Sequence, residues 1–219
     1  YNQRYYRSWM HEIPPLKHVQ RNTVLDLHHT ISPPTSRFKV NSSLLFSNAQ
    51  ALPAESGLFT LGPCDMVLHS AVHLFQEGEF AHGLRDLLDL DDLIKLFSSQ
   101  DPRFWPALLA RARELGLCIP LAHTLHHLEH LFDTVPPAGL REDFRSIRPG
   151  RLTRITMSTL LGNALRPHHP SCDTSFSNVA RWLLYVRSHY IRMPAHLIIP
   201  HLLRKAYMRQ FPDKAQGGA

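Results

Sequence analysis

A single aspartate in an alternating segment is the strongest candidate for chemistry in this sequence. Asp26 lies in TVLDLHHTI, where Leu25, Leu27 and Ile31 alternate with polar residues. If this segment is a strand, Asp26 and His28 share its polar face, because successive side chains point to opposite sides. A carboxylate in that position can bind a metal ion or accept a proton from a nucleophile. The spacing alone also fits a solvated surface aspartate, which is the commoner case.

Two further polar pairs have helical spacing. His69 and His73 are four residues apart, a spacing that can bring two imidazoles to one metal ion. Asp86 and Asp89 are three apart in the next apolar-periodic segment. Position 70 is serine, so the glutamate that follows the first histidine in a zinc protease is missing. We therefore favour an interior pairing of His73 with Asp86 or Asp89 over a metal site.

A third group of histidines occurs in the run HTLHHLEH. Leucines are interleaved with them at helical spacing, so the run predicts a polar helix face with pH-sensitive charge rather than a catalytic site. The sequence contains no Gly-rich phosphate loop, nucleophile elbow or dinucleotide fingerprint. The histidines of this group are His123, His126, His127 and His130.

The composition predicts a globular protein of a reducing compartment. The 219 residues are 43% hydrophobic and 19% charged, which is ordinary for a chain that buries a core. Cys64, Cys118 and Cys172 are too few and too far apart for a disulfide framework or a zinc ribbon. No apolar run approaches the ~18 residues that a membrane span needs, and no signal-peptide pattern is present. We therefore predict a cytoplasmic protein without a membrane span.

Positive charge is concentrated near the carboxyl terminus. The chain has a formal net charge of +6, and residues 171–214 contain seven Lys and Arg against two Asp. Aromatic residues are interleaved with these cations. Such a region can contact phosphates or an acidic protein surface, although a solvated helix face has the same composition.

The front of the chain has the pattern of extended structure. Leu16–Ile31 predicts a hairpin with its turn at residues 20–22, and TVLDLHHTI predicts its second, half-buried strand. Phe38–Phe46 and Leu58–Leu61 are weaker strand candidates. The expected fold class is α+β, mainly α, with a short β-hairpin and strands at the amino terminus before a helical body.

From Pro63 onward, apolar residues recur at three- and four-residue spacings, which predicts helices. We divide the chain into a β region at 1–61, a helical domain at 62–213 and a disordered tail at 214–219. The expected helices are a pair within Gly62–Phe97 broken near Gly78, then Pro102–Leu115, Pro120–Phe132, Leu140–Ile147, Leu152–Leu165, Phe176–Arg192 and a last one from Pro200 to about Gln210.

Three segments taken in order resemble the uncharacterised bacterial nucleotidyltransferase family, a distant branch of the DNA polymerase β-like superfamily. They are HEIPPLKHVQRNTVLDLHHTISPP, LGPCDMVLHSAVHLF and GLRDLLDLDDLIKLF. The resemblance covers about Tyr5 to Phe132. It implies that residues 1–61 are part of a nucleotidyltransferase sheet.

The resemblance implies a reaction and a site. In the superfamily, three carboxylates hold two metal ions, usually Mg²⁺, which align a nucleoside triphosphate for attack by an acceptor hydroxyl. Asp26 in VLDLH matches the third carboxylate, as a Mg²⁺ ligand that helps to deprotonate the acceptor. The residues expected to shape or support the pocket are His28, His69, His73, Asp86 and Asp89.

The first two carboxylates of the superfamily pattern are not found. They belong to an Asp-x-Asp after a Gly-Ser turn, but the chain has no Gly-Ser, and its only Asp-x-Asp is Asp89-Leu90-Asp91 within a helical pattern. We therefore expect the chain to be the back part of a nucleotidyltransferase, inactive alone, with an unknown acceptor. The alternatives are a non-catalytic helical module that binds protein or nucleic acid through its basic carboxyl-terminal helices, and a metal hydrolase built on the histidines.

Overall fold

Two short strand pairs precede a helical body. The computed structural model describes residues 10–53, 57–76, 78, 80, 82–167, 169–194 and 196–200. Within these residues the order of elements confirms the expected class, α+β and mainly α. None of the described helices is long and apolar enough to cross a bilayer. The expected tail at 214–219 lies outside the described residues.

The strands form two antiparallel pairs, β1 with β2 and β3 with β4. The strands are β1 (Leu16–Lys17), β2 (Val24–Leu25), β3 (Gln50–Ala51) and β4 (Phe59–Thr60). The helices are α1 (Ser42–Ser47), α2 (Pro63–Gln76), α3 (Gly83–Gln100), α4 (Phe104–Glu114), α5 (Cys118–Phe132), α6 (Arg141–Ser146), α7 (Arg151–Ala164) and α8 (Ser177–Arg192), with a 3₁₀ turn at Ala138–Leu140.

Most of these elements confirm the sequence patterns, and three details do not. Phe38–Phe46 was expected to be extended, but residues 42–46 begin α1, because the side chain of Asn41 accepts a hydrogen bond from the Ser43 amide at 3.0 Å and caps the helix. The last helix was expected to begin at Pro200, but residues 196–200 are already helical. The part of this prediction that concerns residues 201–210 lies outside the described residues. The third detail concerns the hairpin and is given with the site.

Helix α2 lies at the centre of the body, where it contacts α3, α4, α5 and α8. Pro63 suits its first turn, where the missing N–H has no helical partner. Val67, Leu68, Ala71 and Phe75 are fully or almost fully buried. Each large apolar side chain buried in this way stabilises the fold by about 1.5–3 kcal/mol.

A buried ion pair holds the beginning of α2. Asp65 is completely buried, and its two oxygens accept hydrogen bonds from Arg111 Nε at 2.6 Å and Nη2 at 2.9 Å. Arg111 Nη2 also donates to the Leu44 carbonyl at 2.7 Å, and Asn48 Nδ2 donates to Asp65 at 2.9 Å. A Cβ at Gly62 would lie 2.8 Å from Asn48 Nδ2, so only glycine permits this approach. The network joins α1, α2 and α4.

The segment after the hairpin is hydrogen-bonded to the carboxyl-terminal ends of α2 and α8. Gln76 Nε2 donates to Ser32 Oγ at 3.0 Å and to Ser36 Oγ at 3.2 Å, inside the protein. The Arg37 amide donates to the Ile191 carbonyl at 2.8 Å, and its guanidinium lies 3.8 Å from the centre of the Tyr190 ring. These contacts fix where the hairpin leaves the helical body.

The histidine run on α5 is not the uniform polar face that its sequence suggested. His123 and His127 are buried against Phe75, with ring centres at 5.6 and 6.1 Å, while His126 is partly exposed and His130 exposed. Helix α5 packs against α2, α3 and α4, so that it has little outer surface. Burial lowers the pKa of His123 to about 4, assisted by the charges of Arg187 and His126. Burial likewise lowers the pKa of His127 to about 3, assisted by His126, His123 and His130.

We predict that Arg111→Met lowers the free energy of unfolding by about 3–5 kcal/mol, because it leaves the Asp65 carboxylate buried without its charge partner. Urea unfolding monitored by circular dichroism measures this loss. Arg113→Met on the same helix is the matched control. That side chain is exposed, so its loss should change stability by no more than about 0.5 kcal/mol. Equal stability of Arg111→Met and the wild type would contradict the structural role of the pair.

We predict acid destabilisation from the two buried histidines. Their folded-state pKa values lie below the ordinary value of about 6.5. The unfolded chain therefore binds more protons between pH 6.5 and about 4, and stability falls as the pH is lowered through that window. Each histidine should contribute a loss of roughly 2–3 kcal/mol at pH 4.5 relative to pH 7.

The measurement is urea unfolding of the wild type and of His127→Leu at both pH values. The variant should lose less stability on acidification, since an apolar side chain takes up no proton. His130→Gln, which alters an exposed histidine of the same helix, serves as the control and should keep the wild-type pH dependence. An identical acid loss in His127→Leu and the wild type would show that His127 titrates normally.

Candidate functional site

The hairpin continues past β1 and β2, with a change of register at two prolines. Leu16 pairs with Leu25, and farther out Glu12 pairs with His28. Three residues on the first strand therefore face two on the second between these pairs. Pro14 and Pro15 lack the N–H groups that a regular ladder would need, which accounts for the extra residue. The outcome is that Glu12 lies directly opposite His28.

The hairpin turn lies where the sequence predicted it. The His18 ring Nδ1 accepts hydrogen bonds from the amides of Gln20 and Arg21, at 3.2 and 3.1 Å. Asn22 has φ of 55°, a left-handed conformation that asparagine tolerates better than most residues. The Asn22 amide then donates to the His18 carbonyl at 3.1 Å.

The second strand was expected to be half-buried, and this expectation is wrong. Leu25 is 60% exposed and Leu27 is 51% exposed, while Asp26 and His28 on the other face are exposed as well. Alternation in the sequence correctly separates the two faces, but no described element covers the apolar one. The hairpin therefore projects from the helical body with apolar surface on one side and polar groups on the other.

Asp26 follows β2 directly, in extended backbone on the exposed part of the hairpin. Among the described residues, no hydrogen-bond or ion-pair partner contacts its carboxylate. The side chain lies neither in the apolar interior nor on a helix. It shares the polar face with His28, two residues away, a separation of roughly 6.6 Å along a strand.

Three residues of the hairpin bring metal-binding atoms together. His28 Nε2 lies 3.5 Å from Glu12 Oε2, and the His11 and His28 rings are in edge contact with centres 4.9 Å apart. One ligand atom from each of His11, Glu12 and His28 lies within 4.8 Å of the other two. Sequence reasoning missed His11 and Glu12, because the register that places Glu12 opposite His28 depends on the proline bulge. Extending the predicted strand pairing beyond Pro14 and Pro15 would have indicated that Glu12 lies near His28.

His69 and His73 approach this cluster from α2. Their ring centres are 6.3 Å apart, His69 half-buried and His73 exposed. Burial lowers the pKa of His69, and the charges of His73, His28 and His11 lower it further.

The expected interior pairing of His73 with Asp86 or Asp89 is not formed. His73 is exposed, Asp86 is half-buried in the first turn of α3, and Asp89 is exposed. The buried carboxylate of α3 is Asp91, which accepts hydrogen bonds from Thr134 Oγ1 at 2.5 Å and Lys95 Nζ at 2.6 Å. Of the two aspartates in Asp89-Leu90-Asp91, Asp89 is therefore exposed to solvent, whereas Asp91 is buried in structural hydrogen bonds.

A separate cavity beside α4 offers no nucleophile. It has a volume of about 610 Å³ and is lined in part by Cys64, Phe97, Phe104 and Arg111. Burial and the neighbouring Asp65 carboxylate raise the pKa of the Cys64 thiol to about 11. The thiol is therefore protonated at neutral pH and a poor nucleophile.

The model of the family described as "Uncharacterised nucleotidyltransferase" matches residues 1–133. The match covers more than half of the chain, and the chain belongs to this family. No curated protein and no solved structure was matched by the chain.

The metal ion that the family implies does not fit the described residues by themselves. Mg²⁺ prefers oxygen ligands in octahedral geometry, commonly carboxylates together with water and phosphate. Asp26 is a single carboxylate with no second one described beside it, and the described group of three potential ligands contains two imidazoles. Among the described residues, the hairpin therefore presents Asp26 and a mixed histidine–glutamate group rather than the cluster of oxygen ligands that Mg²⁺ prefers.

Proposed function

We propose that the chain is the back part of a nucleotidyltransferase that transfers a nucleotidyl group from a nucleoside triphosphate to an acceptor. Asp26 is the residue through which it takes part in the chemistry. The observation that carries this proposal is the exposure of the Asp26 carboxylate directly after β2, inside the region that the family model matches.

The exposed hairpin supports a site completed by further strands. A two-stranded hairpin is only marginally stable by itself, and the edges of its strands present N–H and C=O groups to a neighbour. A sheet extended from this hairpin would pair these edge groups and bring other carboxylates towards Asp26. The two-metal mechanism with Mg²⁺ that the family implies requires those additional carboxylates.

Residues of this chain have separate roles in the proposed site. Asp26 accepts a proton from the acceptor hydroxyl or contributes one oxygen ligand to the metal. His28, His69 and His73 form the wall between the hairpin and α2, where imidazoles can donate hydrogen bonds to phosphate or acceptor oxygens. Asp86 and Asp89 belong to α3, and no described contact joins them to the hairpin, so this proposal does not use them.

We also propose a cytoplasmic location. Cys64, Cys118 and Cys172 are all free, and each is partly buried. Free thiols of this kind persist most readily in a reducing compartment.

We predict that Asp26→Asn in the full-length protein lowers nucleotidyl transfer by about 10²-fold or more, because asparagine neither accepts a proton nor carries the charge that a metal ligand needs. The measurement is the transfer of label from an α-labelled nucleoside triphosphate. Asp92→Asn is the matched control, since Asp92 is an exposed aspartate on α3. Equal activity of Asp26→Asn and the wild type would remove Asp26 from the site. The 219-residue chain alone should show no transfer, and transfer by it would contradict the need for additional carboxylates.

A non-catalytic interaction module is the second candidate, and the exposed side of α8 supports it. Val179, Trp182, Val186 and Tyr190 are each 46–62% exposed at helical spacing. Two arginines of α8 are less available, because Arg181 pairs with Asp173 at 2.7 Å and Arg187 donates to the Phe75 carbonyl at 2.8 Å.

We predict from this surface that the isolated chain binds RNA and DNA only weakly, in a binding assay at low and high salt. Strong binding with a steep salt dependence would favour the interaction module. Absence of such binding, together with transfer by the full-length protein, would favour the enzyme.

A further inference from the structure

We propose that His11, Glu12 and His28 bind a divalent transition-metal ion, with Zn²⁺ as the best-suited ion. This site is distinct from the Mg²⁺ site of nucleotidyl transfer, because it uses imidazole nitrogens and does not include Asp26. The proposal goes beyond the proposed function, and its test reads metal binding rather than transfer.

The distances are close to those of a metal centre. Ligand atoms of a tetrahedral zinc ion lie roughly 3.3 Å apart, given zinc–ligand bonds of about 2.0–2.1 Å. The His28 nitrogen and the Glu12 oxygen are already 3.5 Å apart. All three ligand atoms lie within 4.8 Å of one another.

The backbone holds these side chains in place without the metal. Glu12 and His28 are paired across the strands, and the His29 amide donates to the His11 carbonyl at 3.0 Å. The Ile13 amide donates to the Leu27 carbonyl at 2.9 Å. Ligands fixed on paired strands lose little conformational entropy when the metal binds, which raises affinity.

The donor atoms select the class of ion. Two imidazoles and one carboxylate suit zinc and its neighbours in the first transition row, whereas Mg²⁺ and Ca²⁺ prefer oxygen alone. Three protein ligands leave a position open for water or a substrate oxygen. The side chains of His28 and Glu12 are 40% and 24% exposed, so that solvent reaches this position.

Helix α2 carries a further half-buried histidine, His69, but its ring nitrogens do not belong to the group of three ligand atoms. The proposed site is therefore formed by the hairpin.

Two other histidines, His126 and His130, lie close together on α5 but lack this arrangement. The His126 and His130 rings are 4.3 Å apart on α5, but His126 Nε2 is hydrogen-bonded to Ser158 Oγ at 3.1 Å and His130 Nδ1 to the His126 carbonyl at 2.8 Å. Among the described residues, no group of three ligands includes them. They provide the internal control for adventitious zinc binding.

The test is zinc titration of the 219-residue chain, purified without a histidine tag and stripped with a chelator, against a colorimetric zinc indicator. We expect one equivalent of zinc to bind and millimolar Mg²⁺ not to displace it. The double variant His11→Gln/His28→Gln should bind about 100-fold more weakly or not at all, and Glu12→Gln should weaken binding by at least about 10-fold. Co²⁺ in place of zinc should give ligand-field absorption bands that the double variant lacks.

The matched control is His126→Gln/His130→Gln, which should bind zinc as the wild type does. Loss of binding in this control but not in the hairpin variant would overturn the proposal, as would the absence of stoichiometric binding by the wild type. Circular dichroism of each metal-free variant checks that it is folded. Should His11→Gln/His28→Gln be unfolded, Glu12→Gln decides the outcome, because it only replaces one carboxylate oxygen with an amide nitrogen. An unweakened affinity of a folded Glu12→Gln would then overturn the site.

Discussion

The ion pair between Asp65 and Arg111 is the constraint on which the rest of the structure depends. A carboxylate with no access to water is tolerated only when its charge is balanced and its oxygens are hydrogen-bonded. Arg111 meets both conditions with a two-pronged contact at 2.6 and 2.9 Å, and the proximity of Asp65 and Glu114 raises the pKa of the Arg111 guanidinium. The same guanidinium binds the Leu44 carbonyl. Because these groups belong to three elements, the first turn of α2 is fixed relative to α1 and α4.

Once its first turn is fixed, α2 determines where the candidate site lies. His69 and His73 follow Asp65 by one and two turns, on a side of the helix that is not needed for the core. At the other end, Gln76 holds Ser32 and Ser36, which follow the hairpin directly. Contacts at both ends of α2 thus fix the position of the hairpin, although no described element covers the apolar face of the hairpin. A rigid body with an uncovered polar edge is a suitable arrangement for a site whose remaining groups come from another part of the fold.

Local patterns in the sequence predicted the elements well and the site only in part. The hairpin, its turn and the spans of the helices follow from short-range spacing, which the residues themselves contain. The partner of Asp65 is 46 residues away, so nothing nearby distinguishes it from a solvated aspartate at the start of a helix. The same limit applies to α5, where His123 and His127 resemble their neighbours until Phe75 of α2 packs against them. Alternation singled out Asp26 as a polar residue of the hairpin, and its side chain is exposed there. Glu12 was missed because its place opposite His28 depends on a bulge.

Arg187 contacts α2 from outside the stretch that the family model matches. Arg187 lies on α8, beyond the residues 1–133 that the family model matches, yet its Nη1 donates to the Phe75 carbonyl at 2.8 Å. Burial lowers the pKa of its guanidinium to about 10, which still leaves it charged at neutral pH. Ala180 and Leu184 of the same helix are completely buried. The hydrophobic core therefore extends beyond the matched stretch, because Phe144, Leu161 and Leu184 belong to the same buried cluster as the apolar residues of α2. A chain cut at residue 133 would leave that shared core open to water.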